Sequence, residues 1–479
     1  MEKNDISTHE LNETEPLKGT TDQDQTESIS QYKLSMRRWP LNIFYSTSVV
    51  GSALGMLGFS PITDVMQGIY GVSDFEVQLL MLVFVIFYIP LMFPANYLIE
   101  HKGISIPIIL ATILLIAGAW IRMFANYSFY FILVGQILMA MGQPFVVTAP
   151  PKIAGLWHSD NEQALGTTLG SLAQPIGAVL GFLLPLPFIS DSDKDSPDGK
   201  SKMLFYILIQ SIIITVISFP ILLIVKDKPD TPPSRSAEEF LKIVPESQVK
   251  NFCKLMKNRD FLSILGAFSC IFCVYITLGA TVGQITKEFE FGAHDNSYFG
   301  AVFAVAGILG SFIHAVPLDA YQKYKLQFII IGITSVMGIV ATTLGLYSQI
   351  FWVAALCMGF MGFVLLPIIS VSYAFAAEVS FPVNEAHSCG FLQLIGSIIA
   401  VIISFVVGIL LDSGYRYPAL YFLIGVVCIG CICSFFARDN LRKTMSGRRN
   451  SSIKSASTIS LKQGAGKDID KLMLAAFNA

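Results

Sequence analysis

Charged residues are scarce in this chain of 479 residues: Asp, Glu, Lys and Arg make up 14% of it, against roughly 25% in soluble domains. The formal net charge is −2, so no basic excess suggests a nucleic-acid partner. The six histidines are scattered, without the HExxH spacing of a metalloenzyme. We therefore expect a protein that is not an enzyme, has no cofactor and binds no nucleic acid.

Apolar residues make up 53% of the chain and are gathered into long runs. Each run is near or above the ~20 residues that a helix needs to cross a bilayer. The runs lack the alternation of barrel strands, and no soluble fold could cover so many of them. We predict an all-α protein with twelve transmembrane helices, in the plasma membrane or an internal membrane. The runs are 40–69, 77–98, 104–125, 129–150, 163–189, 203–225, 260–284, 297–318, 326–346, 350–377, 383–411 and 417–437.

Basic residues give the orientation of these helices. Placing both termini in the cytoplasm puts 26 of the 32 Lys and Arg residues on that side, including those of the loop 226–259. Cytoplasmic loops are enriched in Lys and Arg, so the bias predicts that both termini are cytoplasmic.

The polar loop 226–259 separates six predicted helices from six others. Glu162 lies just before the fifth predicted helix, and Glu385 lies in the first turn of the eleventh, 223 residues later. Pro144 and Pro367, in the fourth and tenth helices, are also 223 residues apart. Two similar halves with the substrate site between them are typical of the major facilitator architecture, although coincidence among helix ends is an alternative interpretation. The predicted parts are a disordered tail 1–38, halves 39–225 and 260–438, the linker 226–259 and a tail 439–479.

The predicted spans contain almost no charge away from their ends. Ionisable residues inside a membrane are costly and mark functional sites. No Asp or Glu lies at mid-helix as a proton carrier would, which favours a carrier driven by the gradient of its own substrate. His314 lies within a span. A proton relay through it, and hence a proton-coupled carrier, is the alternative.

Amides, a thioether and a tyrosine supply the polarity inside the spans. Gln143, Gln174 and Gln393 must find partners in hydrocarbon, so each faces either a cavity or a neighbouring helix. Met56 and Tyr275 lie near the middle of the first and seventh helices. Both suit a cationic or flat aromatic ligand, and ordinary core packing is the alternative interpretation.

Helix ends supply the candidate gates. Glu100 follows the second helix, where a carboxylate can accept amides at the exposed N-terminus of a neighbouring helix. Glu385 lies in the first turn of its helix, where capping and gating are both possible. Lys152 and Asp319 are ionisable residues at other helix ends. We predict that these four residues act as gates.

Several segments of the N-terminal half resemble the haem/choline transporter family named after the feline leukaemia virus subgroup C receptor. They are FSPITDV (59–65), YIPLMFPA (88–95), GAWIR (118–122), PKIAGLW (151–157) and GFLLP (181–185). The resemblance implies a facilitative uniporter of a choline-like or ethanolamine-like cation, with haem or a pyridoxine-like vitamin as alternatives. A receptor or sensor built on a transporter scaffold is the alternative outside transport. Such a protein would usually carry a large folded soluble domain.

The same resemblance implies a substrate cage on four helices. In the family, a tryptophan on the first helix, a tyrosine on the seventh and glutamines on the fifth and eleventh surround choline. By position, Met56 stands in place of the tryptophan, Tyr275 and Gln174 match, and Ser397 replaces the second glutamine. With Gln143 and Gln393, these residues complete the candidate site of a carrier that we expect to be monomeric in the lipid bilayer and to bind a small molecule.

Overall fold

The computed structural model describes residues 34–159, 162–234, 248–321, 323–380, 383 and 385–438. Most of the predicted N-terminal tail, the whole predicted C-terminal tail and part of the linker lie outside these residues. Sixteen α-helices and no strands are found in the described part. They are α1 Arg38–Leu57, α2 Thr63–Tyr70, α3 Asp74–Lys102, α4 Ser105–Ile121, α5 Tyr130–Val147, α6 Pro150–Trp157, α7 Gln163–Leu183, α8 Gly199–Ile224, α9 Gln248–Met256, α10 Arg259–Thr286, α11 Ala293–Tyr321, α12 Tyr324–Tyr347, α13 Phe351–Leu365, α14 Pro367–Ser380, α15 Glu385–Asp412 and α16 Arg416–Phe436.

Eleven helical stretches of the described chain are long and apolar enough to cross a membrane. This confirms the all-α membrane fold and comes close to the predicted twelve helices. The predicted span that is not among the eleven is the fifth, 163–189, which forms the helix α7, Gln163–Leu183. Thr167, Ser171 and Gln174 make α7 more polar than the other spans. α7 is nevertheless a full-length helix that packs along α1.

Proline residues accompany a helix break inside or at the end of three of the predicted spans. Pro61 lies in a short 3-10 helix between α1 and α2, Pro150 begins α6 and Pro367 begins α14. A proline has no N–H for the carbonyl four residues earlier, and its fixed φ suits the first turn of a new helix. The polar linker also differs from the prediction of a plain loop, because α9 forms within it.

The helices pack as two groups. The N-terminal bundle comprises α1 to α8, in which α1 packs on α7 and α8, and α4 packs on α5. The C-terminal bundle comprises α10 to α16, in which α10 packs on α15 and α16, and α11 packs on α13. The bundles meet along two seams, α3 against α15 and α7 against α11.

Glycines allow the closest helix contacts within each bundle. A Cβ at Gly118 of α4 would lie 2.4 Å from the carbonyl oxygen of Gly135 in α5. A Cβ at Gly362 of α13 would lie 2.0 Å from the carbonyl oxygen of Phe303 in α11. Small residues let membrane helices approach backbone to backbone, where lipid supplies no hydrophobic drive for packing. We name the two ends of the molecule after residues found there, the Asp64 end and the Glu100 end.

Candidate substrate site and gates

Met56 and Gln143 form a pair inside the N-terminal bundle. The side-chain nitrogen Nε2 of Gln143 lies 3.7 Å from Sδ of Met56, and both residues are buried. An amide in the membrane needs a partner, and the thioether is a weak acceptor. The amide is thus held beside Met56 by a contact that is easily exchanged for a better acceptor.

Gln174 lies on α7, directly before Pro175 inside that helix. It is half-buried, so part of its amide is open to contact. α7 is held close to α1, because a Cβ at Gly177 would lie 2.4 Å from the carbonyl oxygen of Val50. Gln174 and Met56 therefore belong to two helices in direct contact.

A row of five aromatic rings runs through the C-terminal bundle, and Tyr275 is part of it. Tyr275 stacks on Phe303 with ring centres 6.0 Å apart and an angle of 13° between the rings. Its other neighbour, Phe272, stacks on Phe268 at 5.1 Å, and Phe268 lies 6.1 Å from Tyr373. The row joins α10, α11 and α14. Its rings can offer π-faces to a cation or to a flat ligand.

Gln393 and Ser397 lie one helical turn apart on α15, next to this row. The hydroxyl of Tyr373 donates a 2.6 Å hydrogen bond to Oε1 of Gln393. Ser397 is buried, and a Cβ at its neighbour Gly396 would lie 2.7 Å from the ring of Phe268. The structure thus brings Tyr275, Gln393 and Ser397 to one region of the C-terminal bundle.

Met56 and Tyr275 each lie near a contact between the two bundles. Oγ of Ser60 donates a hydrogen bond to the carbonyl oxygen of Gly279 in α10. Met56 and Tyr275 each precede this contact by four residues, about one helical turn. Met56 belongs to the apolar core against which Tyr275 packs.

The Asp64 end is closed by an ionic cluster that the sequence did not identify as a gate. The carboxylate of Asp64 in the N-terminal bundle pairs with Lys287, which follows α10 in the C-terminal bundle. Lys194 of the N-terminal bundle lies 2.9 Å from the same carboxylate, and Lys287 also donates to Gln67 at 3.3 Å. One carboxylate between two ammonium groups links the bundles at this end.

Further hydrogen bonds between the bundles surround this cluster. The side-chain amide of Gln284 donates to the carbonyl oxygen of Asp74. The backbone N–H of Phe75 donates to Asp412 at 3.1 Å, and the N–H of Ala293 donates to Asp191 at 2.8 Å. The Asp64 end is therefore the closed end of the molecule in this conformation.

At the opposite end, Glu100 approaches the C-terminal bundle through a histidine. Oε1 of Glu100 lies 3.6 Å from Nε2 of His387 in α15. Nδ1 of His387 lies 3.2 Å from the side-chain nitrogen of Asn251 in α9. Glu100, α15 and the linker helix are joined at this one point. No local sequence pattern indicates this contact, because the three residues are far apart along the chain.

Asp227, at the start of the linker, binds the N-terminus of α4. Oδ1 of Asp227 accepts the N–H of Ser105 at the start of α4, at 2.7 Å. Gly103 makes room for it: its φ is +89°, and a Cβ there would lie 2.3 Å from Oδ1 of Asp227. Lys152 donates to the carbonyl oxygens of Ile99 and Glu100 and so caps the end of α3 within its own bundle.

Two other predicted gate residues, Asp319 and Glu385, lie at the ends of α11 and α15, and their side chains are outside the described part of the chain. Glu162, the counterpart of Glu385, binds Arg38 through both carboxylate oxygens, at 2.9 and 3.2 Å. These hydrogen bonds from the guanidinium lower the pKa of the Glu162 carboxyl. This pair ties α1 to α7 within one bundle.

His314 has a structural partner. Its Nδ1 lies 2.6 Å from the amide nitrogen of Gln327 in the neighbouring helix α12. The histidine is buried, and the contact supports the interpretation that it joins α11 to α12. Within the described residues, no three His, Cys, Asp or Glu side chains are grouped as a metal ion would require.

The structure contains two bundles of membrane-length helices that are linked at the Asp64 end. This arrangement is typical of membrane carriers. The Major Facilitator Superfamily model matches residues 44–388, more than half of the chain. The chain therefore belongs to the Major Facilitator Superfamily, and it is a multi-pass membrane transporter of a small molecule and not an enzyme.

Curated relatives agree with the resemblance predicted from the N-terminal segments. The chain is 25% identical over 425 residues to the choline/ethanolamine transporter flvcr2a of Danio rerio, covering 88% of this chain and 90% of that protein. It is 25% identical over 423 residues to the choline/ethanolamine transporter FLVCR2 of Homo sapiens, covering 87% and 80%. The predicted similarity to the feline leukaemia virus receptor-related transporters is thus confirmed.

Solved structures show the same fold. A bacterial homologue of the human lysosomal transporter Spinster, in an inward-facing and unoccupied conformation, matches with a TM-score of 0.64 and 13% identity, covering 86% of this chain and 99% of that one. The D-xylose–proton symporter matches with a TM-score of 0.63 and 13% identity, covering 83% and 96%.

Proposed function

We propose that this transporter is a facilitative carrier of a small organic cation of the choline or ethanolamine type. The observation that carries the proposal is the stacked row of rings that includes Tyr275, bonded through Tyr373 to the uncharged amide of Gln393. The amide of Gln143 beside the thioether of Met56 adds further uncharged polar groups. The names of the relatives, choline/ethanolamine transporters, support the same substrate class.

The chemistry of the site favours a cation over an anion. Aromatic faces attract a cation without presenting a fixed charge, and the oxygen of an amide such as that of Gln393 can accept from an ammonium or hydroxyl group. The predicted site residues include no Lys or Arg that could pair with an anion. Burying an unpaired charge costs several kcal/mol, so a strongly anionic solute is disfavoured.

Transport would follow from rocking of the two bundles about this site. In this conformation the Asp64 cluster closes one end. Opening that end must separate Asp64 from Lys287, while the Glu100 end, where Lys152, Asp319 and Glu385 are the other proposed gate residues, would close. Since the basic residues favour a cytoplasmic Glu100 end, the conformation described here would be closed on the side away from the cytoplasm.

A flat neutral metabolite of the pyridoxine type is the second candidate. Met56, which stands where the family's choline cage has a tryptophan, favours it because a thioether adapts to an aromatic ring edge without selecting for charge. Haem fits less well, because its carboxylates would need the cationic partners that the predicted site residues lack.

Uptake into proteoliposomes that contain the purified chain tests the proposal. The panel is radiolabelled choline, ethanolamine, pyridoxine and an organic anion of similar size, with empty liposomes as the blank. We expect saturable uptake of choline or ethanolamine, competed by the other amine. Saturable uptake of the anion without uptake of any amine would overturn the proposed substrate class.

A further inference from the structure

Arg122 is a guanidinium buried without a counter-charge. It has no exposed surface, and Nη1 donates a 2.8 Å hydrogen bond to Oε1 of Gln210. Its carbon Cζ lies 5.6 Å from the centre of the Phe59 ring. No carboxylate in the described chain pairs with it, and Nε and Nη2 have no hydrogen-bond partner there. Because burying an unpaired charge in a membrane protein is costly, such a residue indicates a functional role.

The partner of Arg122 is itself bound to the end of α1. Nε2 of Gln210 donates to the carbonyl oxygen of Leu54 at 3.2 Å and to the hydroxyl of Tyr206 at 3.3 Å. Tyr206 donates to the carbonyl oxygen of Gly58 at 2.7 Å. A further amide, that of Gln136, donates to the carbonyl oxygen of Gly55 at 3.0 Å.

These bonds satisfy the end of a broken helix inside the membrane. α1 stops at Leu57, and the chain continues through the 3-10 helix Ser60–Ile62 into α2. The last carbonyls of a helix lack their usual partners along the chain, and lipid offers none. Leu54 still accepts the N–H of Gly58 at 3.1 Å, so the amide of Gln210 adds a second donor to this carbonyl. They also form the negative end of the helix dipole, which a nearby guanidinium stabilises. The cation–π contact with Phe59 holds Arg122 over the break itself.

The break lies between the candidate substrate site and the closed gate. Met56 lies between two of the capped residues, Leu54 and Gly58. Ser60, which touches Gly279 of the C-terminal bundle, begins the 3-10 helix. Asp64 then lies in the first turn of α2. A change in the shape of this break moves the site and the gate together.

We propose that Arg122 is a positioning residue for transport. It fixes the amide of Gln210 so that Nε2 faces the end of α1, and it thereby sets the geometry that couples Met56 to the Asp64 gate. The coupling to substrate rests on the function proposed above, whereas the effect on the gate does not depend on the identity of the substrate.

The first test is uptake per molecule of folded protein by three variants, with thermal stability measured in parallel. Arg122→Gln removes the charge. Gln210→Glu gives Arg122 a stronger partner but takes away the donor to Leu54. The control is Ser211→Ala: this buried serine on the same helix bonds to the carbonyl oxygen of Ala119 in α4 and not to α1.

We expect Arg122→Gln and Gln210→Glu to raise KM about tenfold, the fold-change that matches one lost hydrogen bond of a charged group. Ser211→Ala should leave KM unchanged even if it lowers the melting temperature. A KM of Gln210→Glu equal to that of the native chain would show that Arg122 does not act on α1 through Gln210. Loss of stability with unchanged KM in Arg122→Gln would reduce Arg122 to a packing residue.

The second test does not need a substrate. Spin labels at the exposed positions Asp198 and Ser413, one in each bundle at the Asp64 end, report the opening of that end once the eight native cysteines are replaced. We expect Arg122→Gln to shift or broaden the distance distribution, and Ser211→Ala not to. Identical distributions in both would refute the proposal. A shift without uptake of any tested solute would support Arg122 and count against the proposed substrate.

Discussion

At the scale of single residues, two amides of the candidate site are each held by a specific side-chain partner: Gln143 by the thioether of Met56 and Gln393 by the hydroxyl of Tyr373. Gln143 and Gln393 stood out because amides are costly in lipid, and both prove to be bonded to a side chain. The ring row was missed, although Phe268, Phe272 and Tyr275 share one face of α10 at helical spacing. The signal was hidden because in an apolar span every face carries large side chains, and because Phe303 and Tyr373 come from distant helices.

Tyr275 provides the sharpest residue-scale prediction. Tyr275→Ala removes a ring face, so we expect uptake of a cation to fall at least tenfold, whereas Tyr275→Phe keeps the face and should retain most activity. The measurement is initial uptake of labelled choline per folded molecule. Tyr421→Ala, which removes a tyrosine exposed outside the site, is the matched control. Equal loss in both tyrosine-to-alanine variants would argue against Tyr275 as a substrate contact.

Tyr373 should affect the affinity of the same site for its substrate through its hydrogen bond to Gln393. Tyr373→Phe removes the hydroxyl that donates to Oε1 of Gln393 and frees this oxygen for a substrate donor. We expect the KM for ethanolamine, which has N–H donors, to change more than the KM for choline, which lacks them, by about threefold to tenfold for one neutral hydrogen bond. Equal changes for both substrates would contradict an acceptor role for Gln393.

At the scale of elements, apolar runs predicted where helices lie but not where they break. The runs 40–69, 129–150 and 350–377 each contain a break associated with Pro61, Pro150 or Pro367. Other prolines, such as Pro144 and Pro175, stay within helices. A proline weakens a helix wherever it stands, and the surrounding side chains decide whether the helix bends or ends. Those side chains come from other helices and cannot be found from the local sequence.

The contact between α2 and the end of α10 is the element that we expect to control one gate. Lys287→Ala removes the ion pair that links Asp64 to the C-terminal bundle. The expected result is a larger fraction of molecules open at the Asp64 end, seen with distance labels across that end, and an altered maximum uptake rate. Lys202→Ala breaks the ion pair with Asp193 inside the N-terminal bundle and serves as the control. An unchanged distribution in Lys287→Ala would show that this pair does not hold the gate.

The two carboxylates Glu100 and Glu162 should behave differently when neutralised. Glu100 faces the other bundle through His387, so Glu100→Gln should slow transport with little loss of stability. Glu162 pairs with Arg38 within its bundle, so Glu162→Gln should lower thermal stability and leave KM unchanged. Normal transport by Glu100→Gln would leave Glu100 without a role in gating.

The Glu162 pair also gives a pH dependence with a defined sign. Because the folded pKa of Glu162 is lowered, its stabilising contribution is present above the unfolded value of about 4.3 and is lost as the pH falls through the folded value. The stability difference between the native chain and Glu162→Gln should therefore shrink in acid. Solvent screening of this partly exposed pair keeps the effect small.

At the scale of the whole molecule, length and hydropathy were enough to predict the all-α membrane fold. Eleven of the twelve predicted spans are apolar enough to cross a membrane by length and composition, and the other is the more polar helix α7. The bundles are joined by the contacts of α3 with α15 and of α7 with α11. These contacts bring together residues more than a hundred positions apart, so no local sequence pattern indicates them. The same holds for the choice of closed end, since one sequence must be compatible with both conformations of a carrier.

Orientation is a whole-molecule prediction. The uneven distribution of Lys and Arg predicts that both termini are cytoplasmic. An N-terminal epitope tag should react with antibody only after the cells are permeabilised, whereas a tag inserted after Ser413, at the Asp64 end, should react on intact cells if the protein is at the cell surface. Labelling of the N-terminal tag on intact cells would reverse the predicted topology and place the closed Asp64 end on the cytoplasmic side.

The proposed mechanism moves an organic cation down its own electrochemical gradient through a site without a proton-carrying carboxylate. Choline uptake into proteoliposomes at a clamped membrane potential, with and without a pH gradient, tests this mechanism. We expect an inside-negative potential to accelerate uptake, and collapse of the pH gradient at fixed potential to leave uptake unchanged. Uptake that requires an inward proton gradient, or that is independent of the potential, would contradict this mechanism.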